Sequence, residues 1–246
     1  MSVLQTSLRI GLIRVISLTD PRARNAHGEW LTLHYPQLHV DSRSISGFPN
    51  GLYTPALEKE AVPAILRLGE TLAPHVDALA VSCAADPGVA ELRERFPRMP
   101  IVGAGSALSY VCRAFGRRIG FLTITSQLPA AVANSLAAVD FCVEQVPGVH
   151  KTTDLPDAKS GILAKAVELK VRGCGVIGLA CTGFSTLRIA PYLEDVLGIP
   201  VVDPVLAMGA VLSVLCGNGY KDKGVINGAL GVTQTDPTTT CRKEGA

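Results

Sequence analysis

The 246-residue chain has no excess of either charge: 23 Lys and Arg stand against 21 Asp and Glu, a formal net charge of +2. It therefore lacks both a basic stripe to neutralise phosphates and an acidic tail, and nucleic acid is not an expected partner. Long apolar runs are missing as well. The longest near the C-terminus, residues 205–216, is too short to cross a bilayer, so a buried helix is expected there and no membrane contact. The opening residues are interrupted by Arg9 and Arg14, which is wrong for the apolar region of a secretory signal. Seven cysteines form no Cys-x-x-Cys pair. An odd count without a dense framework fits reduced thiols and a cytoplasmic location better than disulfide staples.

Other signatures are absent too. Gly103-Ala104-Gly105 lacks the spacing of a dinucleotide loop, and no Gly-x-Ser-x-Gly elbow surrounds Ser185. His27, His34 and His39 follow no metal-ligand spacing and are expected on a surface loop, with no metal and no cofactor. Arg14, inside the first apolar run, reads as an edge residue that snorkels to solvent, the alternative being a carboxylate clamp.

What is present is a unit that occurs twice. Residues 77–105 and residues 173–204 each contain a short apolar run, a cysteine where it ends (Cys83 and Cys181), a helical stretch, then Pro and a second apolar run. A second register supports the duplication: RRIGFLTITS, residues 117–126, lies over LRIGLIRVIS, residues 8–17, without a gap. The first half carries the longer insertion between that strand and its cysteine, most simply in residues 17–53, which are expected to be mostly loop with a short strand at 38–40. Strands alternating with helices predict βαβ units and parallel sheets. The fold expected is α/β, with two pseudo-symmetric Rossmann-like (flavodoxin-like) lobes and an active site in the cleft between them. Residues 1–105, completed by 205–246, form the lobe carrying Cys83, and residues 106–204 form the lobe carrying Cys181. A helix is expected over 56–72 with Pro63 inside it, where a proline can break or kink it, and further helices are expected at 128–138, 158–172, 187–197 and 223–230.

Ligands bind beyond the carboxyl ends of parallel strands, where both cysteines stand. One thiolate and one thiol facing each other form an acid–base pair that needs neither metal nor organic cofactor. The thiolate removes a proton from one face of a carbon next to a carbonyl, and the thiol returns one to the other face. Thr182 and the backbone N–H groups of Ala84, Ala85 and Gly183 are positioned in sequence to stabilise the enolate. Ser17, Thr123 and Thr125, after the first strand of each lobe, are candidates to hold a substrate carboxylate or ring amide. The bland alternative is that Cys83 and Cys181, like Cys112, Cys142, Cys174 and Cys216, are packing residues copied by duplication. Cys241 lies in a polar tail.

The paired strand–Cys–helix units, with CAADPG at Cys83 and ACTG at Cys181, resemble the aspartate/glutamate/hydantoin racemase superfamily over nearly the whole chain. Asp86-Pro87-Gly88 looks more like the hydantoin racemase branch than the aspartate racemase branch, where Asn-Thr typically follows. The resemblance implies that Cys83 and Cys181 are the two acid/bases of a cofactor-independent racemase of a hydantoin or amino acid, a small-molecule enzyme expected to be a homo-oligomer. The superfamily also includes arylmalonate decarboxylases, which keep only the second cysteine, and maleate isomerases, which keep both and use one as a nucleophile. Where hydantoin racemases usually carry an Asn-Pro-Asn type loop, this chain reads Ile16-Ser17-Leu18-Thr19-Asp20. A maleate-type isomerase and a non-catalytic two-lobed binding protein for small acids remain the alternatives.

Overall fold

The computed structural model describes residues 7–136 and 139–217. The first sheet is built from β1 (Leu8–Arg14), β2 (Leu38–Ser44), β3 (Ala78–Ser82) and β4 (Ile101–Gly103), in the order β2-β1-β3-β4. The second repeats that order with β5 (Ile119–Thr123), β6 (Phe141–Gln145), β7 (Val176–Leu179) and β8 (Val201–Val202), as β6-β5-β7-β8. Every pairing is parallel. β3, β5 and β7 are buried along their whole length, as expected of strands covered by helices on both faces. The two-lobed α/β fold expected from the duplicated unit is the fold observed.

Between the strands run α1 (Pro21–His34), α2 (Pro55–Leu72), α3 (Val89–Arg95), α4 (Ala104–Ala114), α5 (Ala130–Ala133), α6 (Lys159–Val171), α7 (Gly183–Leu187), α8 (Ala190–Leu197) and α9 (Pro204–Gly217). The helices that leave each fourth strand change sides. α4 lies against β7, β8 and α5 of the second half as well as β3 and β4 beside it, α9 lies against α1, β3 and β4 of the first half, and the two pack on each other. One apolar core consequently runs through both halves, joining Leu8, Ile10 and Ala80 to Leu108, Phe121, Val205 and Met208.

Several expectations need correction. Residues 17–53 are not mostly loop: they hold α1, and β2 extends to Ser44. α1 starts where Asp20 accepts the N–H groups of Arg22 and Ala23 and Pro21 occupies the first turn. Its buried face carries His27, Gly28, Trp30 and Leu31, too polar a set to show as an apolar stripe. Gly28 lets the helix approach β2 closely, since a Cβ there would sit 2.5 Å from Ser42 Oγ. Pro63 does not interrupt α2. The ring is on the exposed side, where water can satisfy the carbonyl that loses its N–H partner. The helix expected over 187–197 divides at Arg188, whose φ of 50° ends α7. That expected at 128–138 is reduced to α5 and a 3₁₀ turn, Asn134–Leu136. The segments at 218–246, with the expected helix at 223–230 and Cys241, lie outside the described residues.

The two lobes solve one capping problem in opposite ways. α9 begins after Asp203, whose Oδ1 accepts from Val205 N, Leu206 N and the Ser185 hydroxyl on α7. The equivalent position before α4 is Gly103. There the carboxylate comes from the cysteine loop, as Asp86 accepts from Gly105 N at 2.6 Å and from Ser106 N at 2.9 Å. A Cβ on Gly103 would fall 2.2 Å from the Asp86 carboxyl carbon, so a second side chain cannot share the space. Asp86 takes a φ of 52°, a left-handed conformation that Asp tolerates better than most residues. Thus the helix start and the Cys83 loop are locked together by one carboxylate. Asp86→Ser and Gly103→Asp are each expected to destabilise the protein by about 1–3 kcal/mol. The double variant, which rebuilds the Asp203–Ser185 arrangement in the first lobe, should recover at least about 1 kcal/mol relative to the sum. Urea unfolding of the four proteins checks this, and additive losses would contradict it.

Candidate active site

β3 and β7 deliver the two cysteines to the same end of their sheets. Cys83 follows β3 at once, in a turn closed by Asp86 N donating to Cys83 O, 3.2 Å. Cys181 follows β7 after Ala180, whose N–H donates to Leu122 O at 2.8 Å. A cavity of about 250 Å³ opens between the lobes, and both cysteines line it, one from each lobe. Each is 8% exposed. Ala84, Ala85, Thr125, Thr182 and Gly183 line it too.

Ser17 and Thr123, the other two sequence candidates, are not among the lining residues. The Ser17 hydroxyl accepts from Phe48 N at 2.8 Å, and the fully buried Thr123 donates to Thr125 O, so both hold turns together. The Thr125 hydroxyl donates to Gln127 O.

The surroundings of the two sulfurs differ. Burial pushes the Cys181 thiol up to about 11, opposed by the Gly183 N–H at 3.4 Å from Sγ and by the Thr152 hydroxyl at 4.0 Å. Burial raises Cys83 further; the Ala85 N–H opposes it, while Cys181, Glu58 and Asp86 add to it electrostatically. Cys181 is therefore the more acidic of the two thiols. The N–H groups of Ala84 and Thr182 have no protein partner among the described residues. Glu58, from the first turn of α2, also faces the cavity, its own carboxyl raised by burial.

Two side chains read otherwise from sequence stand in the wall. Arg14 is no edge residue: β1 is a central strand, and the side chain is 4% exposed, with Nη1 donating to Ala23 O and Arg24 O at 3.1 and 3.0 Å. His27 is not on a surface loop but 1% exposed on α1, whereas His34 and His39 face outward on α1 and β2. Its Nδ1 is 2.8 Å from Ser82 Oγ and its Nε2 is 2.8 Å from Thr186 Oγ1 on α7. The Thr182 hydroxyl donates to Ser82 O at 3.2 Å. Ser82, the residue before Cys83, is thus tied to the Cys181 side directly by Thr182 and indirectly through His27 to Thr186. At the rim, Thr153 Oγ1 donates to Asn50 Oδ1 at 3.4 Å, closing the gap between lobes with residues from two loops. Nothing in the sequence distinguished Thr152, Thr153 or Glu58, because the loops that bring them to the cavity are paired only in three dimensions.

Fold and site together define a two-lobed α/β protein with paired cysteines in an inter-lobe cavity, and comparison with known proteins makes this specific. Residues 17–210 match the Asp/Glu/Hydantoin racemase family, and the chain belongs to that family of racemases. It is 27% identical to a hydantoin racemase of Rhizobium meliloti over 231 residues, covering 89% of this chain and 92% of that one. Among solved structures, an allantoin racemase from Klebsiella pneumoniae superposes with a TM-score of 0.71 at 19% identity, covering 85% of this chain and 87% of its own. An allantoin racemase from Pseudomonas fluorescens gives 0.69 at 17% identity, with 85% and 90% covered.

The imidazole of His27 is held well below its ordinary 6.5 by burial and by the charge of Arg14, so it is neutral in the folded protein. The unfolded chain takes up a proton below about 6.5, and the folded one does not, so this residue makes stability fall as pH drops through that value. His27→Gln is expected to be less stable by about 2–4 kcal/mol at pH 7.5, having left two hydroxyls poorly paired. The deficit should shrink at pH 5, by about 1.4 kcal/mol for each pH unit below the unfolded value. Urea unfolding at both pH values reads the difference; an equal deficit at each would contradict a neutral bridging imidazole.

Proposed function

We propose that the protein is a cofactor-independent racemase in which Cys181 and Cys83 exchange the proton of a carbon acid next to a carbonyl, a 5-substituted hydantoin being the first choice. The observation that carries this reading is the presence of two thiols, one from each lobe, in one cavity whose backbone N–H groups reach each sulfur. The Rhizobium meliloti hydantoin racemase supports the substrate class.

In this reading Cys181, the more acidic thiol, is the base. Its thiolate, supported by the Gly183 N–H, takes the α-proton from one face, and the C–H electron pair moves into the enolate. Cys83 then gives its proton to the opposite face and is left as the thiolate, supported by the Ala85 N–H. The enzyme ends with the proton moved from one sulfur to the other; loss of the Cys181 proton to solvent and uptake of one by Cys83, or the reverse reaction, restores it. The unpartnered N–H groups of Ala84 and Thr182 are the donors left for the enolate oxygen. Excluding water from the cavity strengthens all of these interactions.

The chemistry requires free thiols, and neither Cys83 nor Cys181 forms a disulfide among the described residues, in keeping with a cytoplasmic enzyme. Exposed Tyr110, Tyr192, Val196 and Val214 support the expectation of a homo-oligomer. We propose the lobe boundaries 1–105 with 205–246, and 106–204; among the described residues, which end at 217, the contacts of α4 and α9 support them.

In D₂O, wild-type protein is expected to convert one enantiomer of a 5-substituted hydantoin into the other with one deuterium at the α-carbon, read by NMR and chiral chromatography. Cys83→Ser and Cys181→Ser should each slow racemisation by about 10²–10⁴-fold. Turnover of maleate to fumarate with a mass adduct on one cysteine would replace the reading with that of a cis–trans isomerase. Ligand binding that survives the loss of both thiols, without turnover, would replace it with a binding protein.

A further inference from the structure

Among the described residues Arg14 is a buried cation without a counter-ion. It is 4% exposed and lines the cavity, yet no carboxylate among the described residues lies within ion-pair distance of it. Its only protein acceptors among those residues are the carbonyls of Ala23 and Arg24, both taken by Nη1. That leaves Nε and Nη2, the edge of the guanidinium that matches a carboxylate bidentately. Two neutral carbonyls are poor compensation for a desolvated charge, which ordinarily is paired when buried.

The carboxylates that could have served are engaged elsewhere. Asp20 caps α1, Asp86 caps α4 and Asp203 caps α9. Glu58, the acidic residue of the cavity wall, makes no ion pair with Arg14. His27 beside it stays neutral and adds no charge of either sign. Burial lowers Arg14 only to about 10, so it remains charged at neutral pH.

We infer that Arg14 is the specificity residue of the cavity and holds a carboxylate of the substrate, so that the preferred substrate is an anionic carbon acid. The inference rests on the cavity being the substrate site proposed above. It narrows the substrate class to hydantoins carrying an acidic side chain, or to amino acids bound through a carboxylate. The ligand would supply the counter-ion that the protein itself withholds. An unliganded site with that cost already built in gives up part of it when a carboxylate enters, and gives up none to a neutral analogue.

The test uses matched probes, 5-(carboxymethyl)hydantoin against the near-isosteric 5-(carbamoylmethyl)hydantoin, and aspartate and asparagine beside them. Calorimetry on the full chain reads affinity, and racemisation is followed separately. Wild type should bind the acid hydantoin about 10–100-fold more tightly than its amide, the range expected for a charged hydrogen-bonded partner. Arg14→Gln should remove that preference, and Arg14→Lys should keep part of it. If the carboxylate recognised is that of an amino acid, aspartate and asparagine bind alike, and Arg14→Gln weakens both while the hydantoin pair shows no preference. Preference without racemisation would support Arg14 while removing the racemase reading; racemisation without any carboxylate dependence would do the reverse. Wild type that binds neither carboxylate probe better than the amide hydantoin overturns the inference. So does an Arg14→Gln protein that loses all ligands in equal proportion, which is the behaviour of a merely structural tie. Should Arg14→Gln fail to fold, the wild-type preference and the Arg14→Lys variant still decide.

Discussion

Ser82 is the point at which the two lobes are tied. Its carbonyl accepts from Thr182, its hydroxyl meets His27, and His27 reaches on to Thr186. These bonds connect the residue before one cysteine to the residue after the other, so the spacing of the two thiols is fixed by hydrogen bonds rather than by loose apposition of two surfaces. Ser82, His27 and Thr182 are buried, where an unmade bond is costly and a completed network is rigid, while Thr186 closes the chain at the exposed end. The exchange of α4 and α9 between sheets adds a continuous apolar core behind this tie. A lobe could not rotate away without breaking both.

The repeated strand–cysteine–helix unit was legible because burial on both faces gives short, uninterrupted apolar runs, and because duplication repeats them in register. Parallel strand order, the position of the cysteines at the carboxyl ends of β3 and β7, and most helices follow from that pattern. α1 was not legible, since the face it buries carries His27 and Gly28 for contact with Ser82 and β2 rather than an apolar stripe. Arg14 escaped because a charged residue in an apolar run reads as an edge until the sheet order places it in the centre, and His27 because the helix that buries it was read as loop. The turn role of Ser17 depends on Phe48, which only the folded loops bring near, while Thr123 turns back on Thr125 two residues further on. The opposite capping of α4 and α9 is likewise invisible in a comparison of the halves, where Gly103 and Asp203 simply differ.

The same burial that builds the cavity works against ionising the thiols within it, and the more deeply affected of the two is Cys83. Backbone N–H groups of Ala85 and Gly183 offset part of that cost without introducing another titratable group. The asymmetry makes Cys181 the easier of the two sulfurs to ionise, which is the order the proposed acid–base pair uses.

The central claim is that Cys83 and Cys181 serve opposite faces of one carbon. The most direct test is α-hydrogen exchange into D₂O for each separate enantiomer of a turned-over hydantoin, with Cys83→Ser and Cys181→Ser. The account predicts that each variant still exchanges the enantiomer whose hydrogen faces its remaining thiol, with retention, and that the two variants show opposite preferences. Both variants exchanging the same enantiomer, or neither differing from wild type, would contradict it.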